Sequence, residues 1–336
     1  MKRMLRAALV TASVAGLGVA TLIAQPATAS AATTATVTSA TIRTAATGTI
    51  YRGGLYVQPD SQAAQAAATL SAQGRTTEAA AASTIAKQPV AIWLGEWFQG
   101  DFLDRIIARN LANAEAAGTT PVFVTYAIPD RDCGGYSAGG LTAAQYAEWN
   151  RRIADDLRGH HAVVLIEPDA ISMLPSCEAD VATRLPMLAA AVSRFSEAGV
   201  PSYLDGGNSQ WVKPEVQAGL LTRAGIAKAR GFFTNVANFY GVDAERAYAE
   251  QVSARTAGSN YVIDVSRNGR GWTGTWCNPP GAGLGQAPHA TYGTTKLDAL
   301  LWVKTAGASD GQCNGGPAAG TWFPSYAVDL VRYAKR

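Results

Sequence analysis

The chain has little histidine, no close cysteine pair and no surplus of charge, and each shortage closes off a class of chemistry. Its three histidines are His160, His161 and His289. The first two fall between a helix-like and a strand-like stretch, on the face of an α/β fold opposite the one that carries chemistry. Zinc sites and histidine-assisted nucleophiles are therefore set aside. No Gly-x-Ser-x-Gly elbow and no phosphate loop is present. Cys133, Cys177, Cys277 and Cys313 include no Cys-x-x-Cys spacing, so neither a metal nor a cofactor is expected. No stretch beyond residue 31 is apolar enough to span a bilayer.

Residues 1–31 read as a signal peptide. Lys2, Arg3 and Arg6 precede a mostly apolar run from Leu9 to Ile23, and Ala27-Thr28-Ala29 or Ala29-Ser30-Ala31 offers small residues for cleavage. A retained anchor is the weaker alternative, because Gly16, Gly18 and several Thr and Ser dilute the run. The product is expected to be secreted, soluble and, after cleavage, free of the membrane. The whole chain carries 28 Lys+Arg and 25 Asp+Glu, and removing the three basic residues of the leader leaves 25 of each sign. A nucleic-acid partner is not expected without a basic surplus. An even cysteine count in an exported chain favours disulfides. Nearest-neighbour pairing, Cys133–Cys177 and Cys277–Cys313, would close loops of about forty residues, worth ~4 kcal/mol apiece in the chain-entropy model.

Residues 32–49 form an Ala/Thr-rich tract read as a flexible lead-in, and a single domain is expected over 50–336. Asp60 reads as a cap for Ala-rich helices near 63–70 and 78–87. Strand-like apolar runs then follow at 91–94, 122–126, 163–166, 203–204, 232–233, 262–265 and 300–303. Most are separated by helix-like stretches, at 102–117, 142–157, 181–198, 214–227 and 244–257, and a last helix spans 326–336. This alternation predicts an α/β fold with a parallel sheet and right-handed crossovers. Strands apolar at every position are covered on both faces, as in a barrel. A Rossmann-type open sheet is the alternative. Gly281, Gly283 and Gly285 do not support it, because they follow no strand and open no helix.

In a parallel barrel the residues just past each strand share one face. Here they are Asp130, Arg131 and Asp132; Asp169; Asp205; Asn235 and Asn238; Asp264, Arg267 and Asn268; and Lys304 and Asp310. Such an acid-rich site suits hydrolysis of an acetal, in which one carboxyl group protonates the leaving oxygen while another activates water. Asp169, ending Val163-Val164-Leu165-Ile166-Glu167-Pro168-Asp169, is the candidate acid. Asp132, at the neighbouring strand end, would keep it protonated by making double ionisation costly. Asp130, Asp180 and Asp243 read better as helix caps. Among the tryptophans, Trp149 and Trp302 read as core, whereas Trp93, Trp211, Trp276 and Trp322 fall at strand ends or in loops on the acid-bearing side. Flat aromatic faces there suit stacking on pyranose rings. The long Gly/Pro-rich loop over 266–295, which holds Trp272 and Trp276, reads as functional.

Tyr126-Ala127-Ile128-Pro129-Asp130-Arg131-Asp132-Cys133 resembles the Tyr-x-x-Pro-x-Arg-Asp-Cys signature of glycoside hydrolase family 6, the family B cellulases. Ile166-Glu167-Pro168-Asp169 resembles that family's catalytic-acid block. Tyr203-Leu204-Asp205-Gly206-Gly207, Thr234-Asn235-Val236-Ala237-Asn238-Phe239-Tyr240 and Ser266-Arg267-Asn268-Gly269 are similar to further blocks. So are Trp276-Cys277-Asn278, Leu301-Trp302-Val303-Lys304 and Ser309-Asp310-Gly311. They fall in family order from about Leu55 to the C-terminus.

The resemblance implies a distorted seven-stranded parallel β/α barrel, TIM-like, and hydrolysis of β-1,4-glucan or cello-oligosaccharides with inversion by a monomer without cofactor. It makes Asp169 the general acid, Asp132 the residue that tunes it, and Asp310 the candidate base, acting through a water chain. Tyr126 would lie beneath the distorted sugar. Arg131, Asp205, Asn238 and Lys304 would bind sugar or hold the carboxylates, and Trp93, Trp211 and Trp276 would be sugar platforms. The family's disulfides match the nearest-neighbour pairing. Asn208 departs from the family, standing where many members have His, and Ala308 stands where Glu is common. Thr305-Ala306 replaces Pro-Pro or Pro-Gly, and the serine of Gly134-Gly135-Tyr136-Ser137-Ala138 sits about one place from the usual water-positioning serine. The short loop from Cys313 to Trp322 implies an open cleft and internal cleavage. An endoglucanase is therefore expected, a cellobiohydrolase or a glucan-binding protein without full turnover being the alternatives.

Overall fold

A computed structural model of the chain describes residues 39–177 and 181–335. The segment read as a signal peptide, the tract up to residue 38 and Asp180 lie outside the described residues. Among the described residues eight strands make one sheet: β1 (Ile92–Gly95), β2 (Val122–Tyr126), β3 (Val163–Ile166), β4 (Ser202–Asp205), β5 (Gly231–Thr234), β6 (Asn260–Asp264), β7 (His289–Ala290) and β8 (Leu297–Leu301). Their order is β1-β2-β3-β4-β5-β6-β8-β7. β1 to β6 and β8 are parallel and adjacent in chain order. No reversal of order interrupts them, which removes the Rossmann-type alternative. The sheet curls until Val90 and Trp302 form a parallel bridge, with the Ala91 amide donating to the Trp302 carbonyl at 2.9 Å.

The strand count needs one correction, eight rather than seven. β7 adds to the sheet as an antiparallel pair of residues, His289 opposite Leu300 and Ala290 opposite Ala299. Two residues carry no periodic signal of their own; they are a strand because β8 offers them an edge.

Side chains on successive strand positions enter two different cores. Val122, Val124, Val163, Leu165, Tyr203 and Leu301 meet inside the curl. Phe123, Val164, Ile166, Leu204 and Phe232 meet the helices outside it, packing with Leu103, Ile107, Ile153, Leu188 and Phe195. A strand buried on both faces is apolar throughout for this reason, and each such side chain contributes about 1.5–3 kcal/mol. The outer helices are α5 (Gly100–Ala116), α6 (Ala143–Leu157), α7 (Val181–Glu197), α8 (Pro214–Arg223) and α9 (Val242–Arg255). α6 starts on a capping box, Thr142 with Gln145. Among the described residues no helix is long and apolar enough to cross a membrane.

The Ala/Thr-rich tract is not a plain lead-in from Ser39 onward. It forms α1 (Ser39–Thr44) and α2 (Thr47–Ile50), with Ile42 only 3% exposed. Both are too short to hold on intrinsic propensity, so tertiary contacts decide. Arg230 Nη1 donates to the carbonyls of Ile42, Arg43 and Ala45 at 3.0, 2.9 and 2.7 Å. Thr47 Oγ1 donates to Asp298 Oδ1 at 2.7 Å, and Ile50 and Tyr51 join the inner core. α3 (Gln62–Ala72) and α4 (Thr76–Ala86) follow, and α3 is capped by Ser61 rather than Asp60. α10 (Pro324–Arg332) closes the chain against α4.

Candidate active site

The loops past the carboxyl ends of β2 to β6 surround a cleft of about 810 Å³. Asp132 and Tyr136 come from the β2 loop, Asp169 and Met173 from β3, Asn208, Gln210 and Trp211 from β4, Asn238 and Tyr240 from β5, and Trp272 and Trp276 from β6. Of the residues singled out in the sequence, Asp132, Asp169, Trp211, Asn238 and Trp276 therefore share its wall. Tyr126, Trp93, Arg131, Asp205, Lys304 and Asp310 do not line it.

Asp169 is presented by a sharply bent segment. Glu167 and Asp169 both have positive φ, 50° and 72°, and Asp130, Asp132 and Cys133 repeat the feature after β2 at 51°, 58° and 47°. Backbone in this region stays folded only where the surroundings hold it. Glu167 supplies one such hold: fully buried, its carboxyl accepts from the amides of Ala127 at 3.0 Å and Ile128 at 3.1 Å, which ties the β3 turn to the β2 loop. Burial raises its pKa to about 7 against those two amides. The Cys133–Cys177 disulfide links the same two loops, and Cys277–Cys313 forms the second expected pair.

Among the described residues none donates a hydrogen bond to the Asp169 carboxyl, and its pKa lies well above the ordinary aspartate value. Burial is the first cause, then the charges of Asp205 and Asp132; Lys304 opposes them. The expected cause is corrected in rank. Crowding by Asp132 is present, but desolvation leads and Asp205 precedes it. Asp132 is itself positioned, its Oδ2 accepting from the Ser137 amide at 2.6 Å.

Past β8 the electrostatics are opposite. Asp310 Oδ2 accepts from Arg267 Nη1 at 2.8 Å and from the Asn278 amide at 2.9 Å, while Lys304 Nζ lies 3.1 Å from Oδ1. Burial pushes this carboxyl up, but Arg267 and Lys304 outweigh it and hold the pKa below the ordinary value. The Asp169 and Asp310 carboxyls are thus shifted in opposite directions, the first toward its protonated form and the second toward its ionised form. Environments that push two carboxyl groups apart in this way suit a division into acid and base.

Other strand-end residues serve the framework. Arg131 is 5% exposed; it pairs with Glu96 past β1, donates to the carbonyls of Tyr126 at 2.6 Å and Ser137 at 2.8 Å, and lies 4.4 Å over the Tyr126 ring. Asp205 accepts from the amides of Ile171, Ser172 and Gly207 at 3.1, 2.8 and 3.0 Å. Both are buried and hold the acid-bearing loops. Asp264 does the same for the amides of Ser266 and Lys304 at 2.8 and 3.0 Å. The Tyr126 ring is buried edge-on against half-buried Trp93 at 5.0 Å, whose Nε1 donates to the Val303 carbonyl. Trp322 packs against Gly307 and the outer core, as a loop support rather than a platform. Asn208 is buried and accepts from the Gln210 amide at 3.0 Å.

Sequence reasoning passed over Glu96, Glu167, Tyr136, Tyr240 and Gln210 and gave Trp272 no role. Glu96 and Glu167 directly follow or adjoin strands and were findable by position. The ring pairs Tyr136–Trp276 and Tyr240–Trp272 were not, since each joins residues of two different loops.

The family model for glycosyl hydrolases family 6 matches residues 51–334. The chain belongs to that family. Among characterised relatives it is 39% identical to Endoglucanase A of Cellulomonas fimi, the match covering 84% of this chain and 62% of that protein. It is 35% identical to Endoglucanase 1 of Streptomyces halstedii, over 83% of this chain and 88% of the other. The solved endoglucanase Cel6 of Mycobacterium tuberculosis, in complex with methyl-cellobiosyl-4-deoxy-4-thio-β-D-cellobioside, superposes with a TM-score of 0.79 at 37% identity, covering 85% of this chain and 99% of that one. The chain thus spans less than two thirds of the Cellulomonas protein. It is a family 6 glycoside hydrolase by sequence and by fold.

Proposed function

We propose that this family 6 chain is a secreted endo-β-1,4-glucanase that hydrolyses with inversion. The observation that carries the reading is the divergence of two carboxyl groups at the strand ends: Asp169 held protonated on the cleft wall, Asp310 held ionised past β8. Asp169 gives its proton to the glycosidic oxygen as the bond from C1 breaks. Water attacks C1 from the opposite face, and its proton passes toward Asp310. Both oxygens of Asp310 are engaged by Arg267, Asn278 and Lys304, so the transfer runs through water rather than by direct contact. Asp132 and Asp205 keep the acid charged with its proton, and Tyr126, buried behind the cleft wall against Trp93 and Arg131, supports the β2 loop that carries Asp132.

Internal cleavage is supported by the loop after Asp310. It folds back on itself, Gly320 and Thr321 pairing with Ser309 at 2.9 and 2.8 Å, and leaves Trp276 49% and Trp272 42% exposed. Two disulfides fit an oxidising, extracellular location. The endoglucanases named among the relatives support the substrate class.

The test is carboxymethylcellulose hydrolysis, following viscosity and reducing ends together, with the anomer of fresh cello-oligosaccharide product read by NMR. A steep viscosity drop and α-anomer are expected. Slow viscosity loss per bond cut would make the chain a cellobiohydrolase, and β-anomer would remove the inverting roles. The full engagement of Asp310 favours a second reading, a glucan-binding protein with weak turnover. Binding to cellulose without release of sugar would establish it.

A further inference from the structure

Two rings on the cleft wall have no part in that chemistry. Trp272, in the loop after β6, stacks on Tyr240, in the loop after β5, with centroids 5.3 Å apart and planes 11° from parallel. Both line the cleft, on the β5–β6 flank. Trp272 keeps 42% exposure although Tyr240 covers one of its faces. Its open area therefore lies on the remaining face and edge. Support beneath the pair is unusually firm. The Tyr240 carbonyl accepts from two buried asparagines, Asn235 Nδ2 at 3.1 Å and Asn268 Nδ2 at 3.0 Å, and the Tyr240 amide donates to Asn235 Oδ1 at 3.1 Å. Asn235 itself is anchored to the Asp264 carbonyl at 2.9 Å. A loop that needed only to be covered would not require its backbone clamped from two strands while leaving a tryptophan in solvent. A rigid, exposed, composite aromatic face is the preorganised form of a stacking surface.

We infer that the Trp272–Tyr240 pair is a distal subsite that stacks one further pyranose unit of a linear glucan, separate from the platforms Trp211 and Trp276. The inference rests on the glucan reading above and adds to it a preference for longer chains. The pair sits on the β5–β6 flank of the cleft and Asp169 past β3, so on this inference a short oligosaccharide bound beside Asp169 leaves the pair empty and a longer one covers it.

Calorimetric titration tests this with the full chain carrying Asp169→Asn, so that ligand is not consumed, against cellotriose and cellohexaose. Adding Trp272→Ala should weaken cellohexaose about five-fold or more, the scale of one lost stacking contact, and leave cellotriose within about two-fold. Trp272→Phe should restore most of the difference, and both variants should keep a cooperative melt, Trp272→Ala losing no more stability than its contact with Tyr240 supplies. Equal losses at both lengths, no loss at either, or a loss that Phe does not repair would overturn the subsite while leaving the glucan reading intact. Failure of the Asp169→Asn protein to bind either sugar would overturn both.

Discussion

Two buried aspartates, both paired to arginine, lie at opposite ends of the barrel and are arranged for opposite purposes. Asp298, near the start of β8, accepts from Thr47 at 2.7 Å, Tyr203 at 2.7 Å, Arg230 twice at 2.8 Å and Asn260 at 2.9 Å. Arg230 uses its remaining donor on three carbonyls of the N-terminal segment. The Asp298 carboxyl is thus taken up wholly by protein donors. Asp310, past the end of β8, is equally well paired with Arg267, but it shares its end of the barrel with Asp169, whose carboxyl has no donor among the described residues and a raised pKa. Left-handed backbone gathers at this end too, at Asp130, Asp132, Cys133, Glu167, Asp169, Asn235 and Ala237. At one end the buried carboxylate is fully paired; at the other, strained backbone surrounds an acid with a raised pKa.

The contrast can be broken by exchanging consequences. Asp298→Ala should cost about 3–5 kcal/mol, because Arg230 is left buried without its counter-charge, while kcat of the folded fraction stays near normal; denaturant unfolding with activity measured alongside checks this. Asp169→Asn should do the reverse, lowering kcat about 10²–10⁴-fold with an unchanged or higher melting temperature. If both substitutions damaged activity and stability together, the two ends would not be separable.

A smaller effect comes from pH. Glu167 titrates near 4.5 unfolded and at about 7 folded. A raised folded pKa means its contribution is fully present below pH 4.5 and is lost as pH rises through about 7, on the order of 3 kcal/mol. Glu167→Gln should therefore flatten the melting-temperature profile between pH 5 and 7 and melt above the wild type at pH 8. Asp310 has the opposite sign. Its lowered pKa gives stability present above the unfolded value of 3.8 and lost as pH falls through the folded one, so acid unfolding should steepen below pH 4. Smallest of all, Thr47→Ala should cost about 1–2 kcal/mol, the loss of one buried hydrogen bond to a charged group, with kcat untouched.

The cleft end was largely legible in the sequence because barrel strands with two buried faces are apolar without interruption, and Asp169 and Asp132 stand shortly after two of them. What a strand-end carboxylate does there was less legible. Asp205 and Asp132 look alike in sequence, yet one accepts three backbone amides and the other lines the cleft. The closed end was nearly invisible. Thr47 and Ile42 lie in an Ala/Thr tract whose composition reads as linker, and their order comes from Arg230 and Asp298, about two hundred and fifty residues downstream in the second case. Trp322 and Trp276 likewise read the same until the packing of Gly307 against the Trp322 ring separated them.

The helices at 39–50 also carry a practical consequence for anyone rearranging this protein. The family match begins at residue 51, but a cut there would unplug the barrel floor, exposing Ile50's neighbours and stripping Arg230 of three acceptors. An added carbohydrate-binding module or affinity handle belongs upstream of Ser39, where grafting leaves the plug seated.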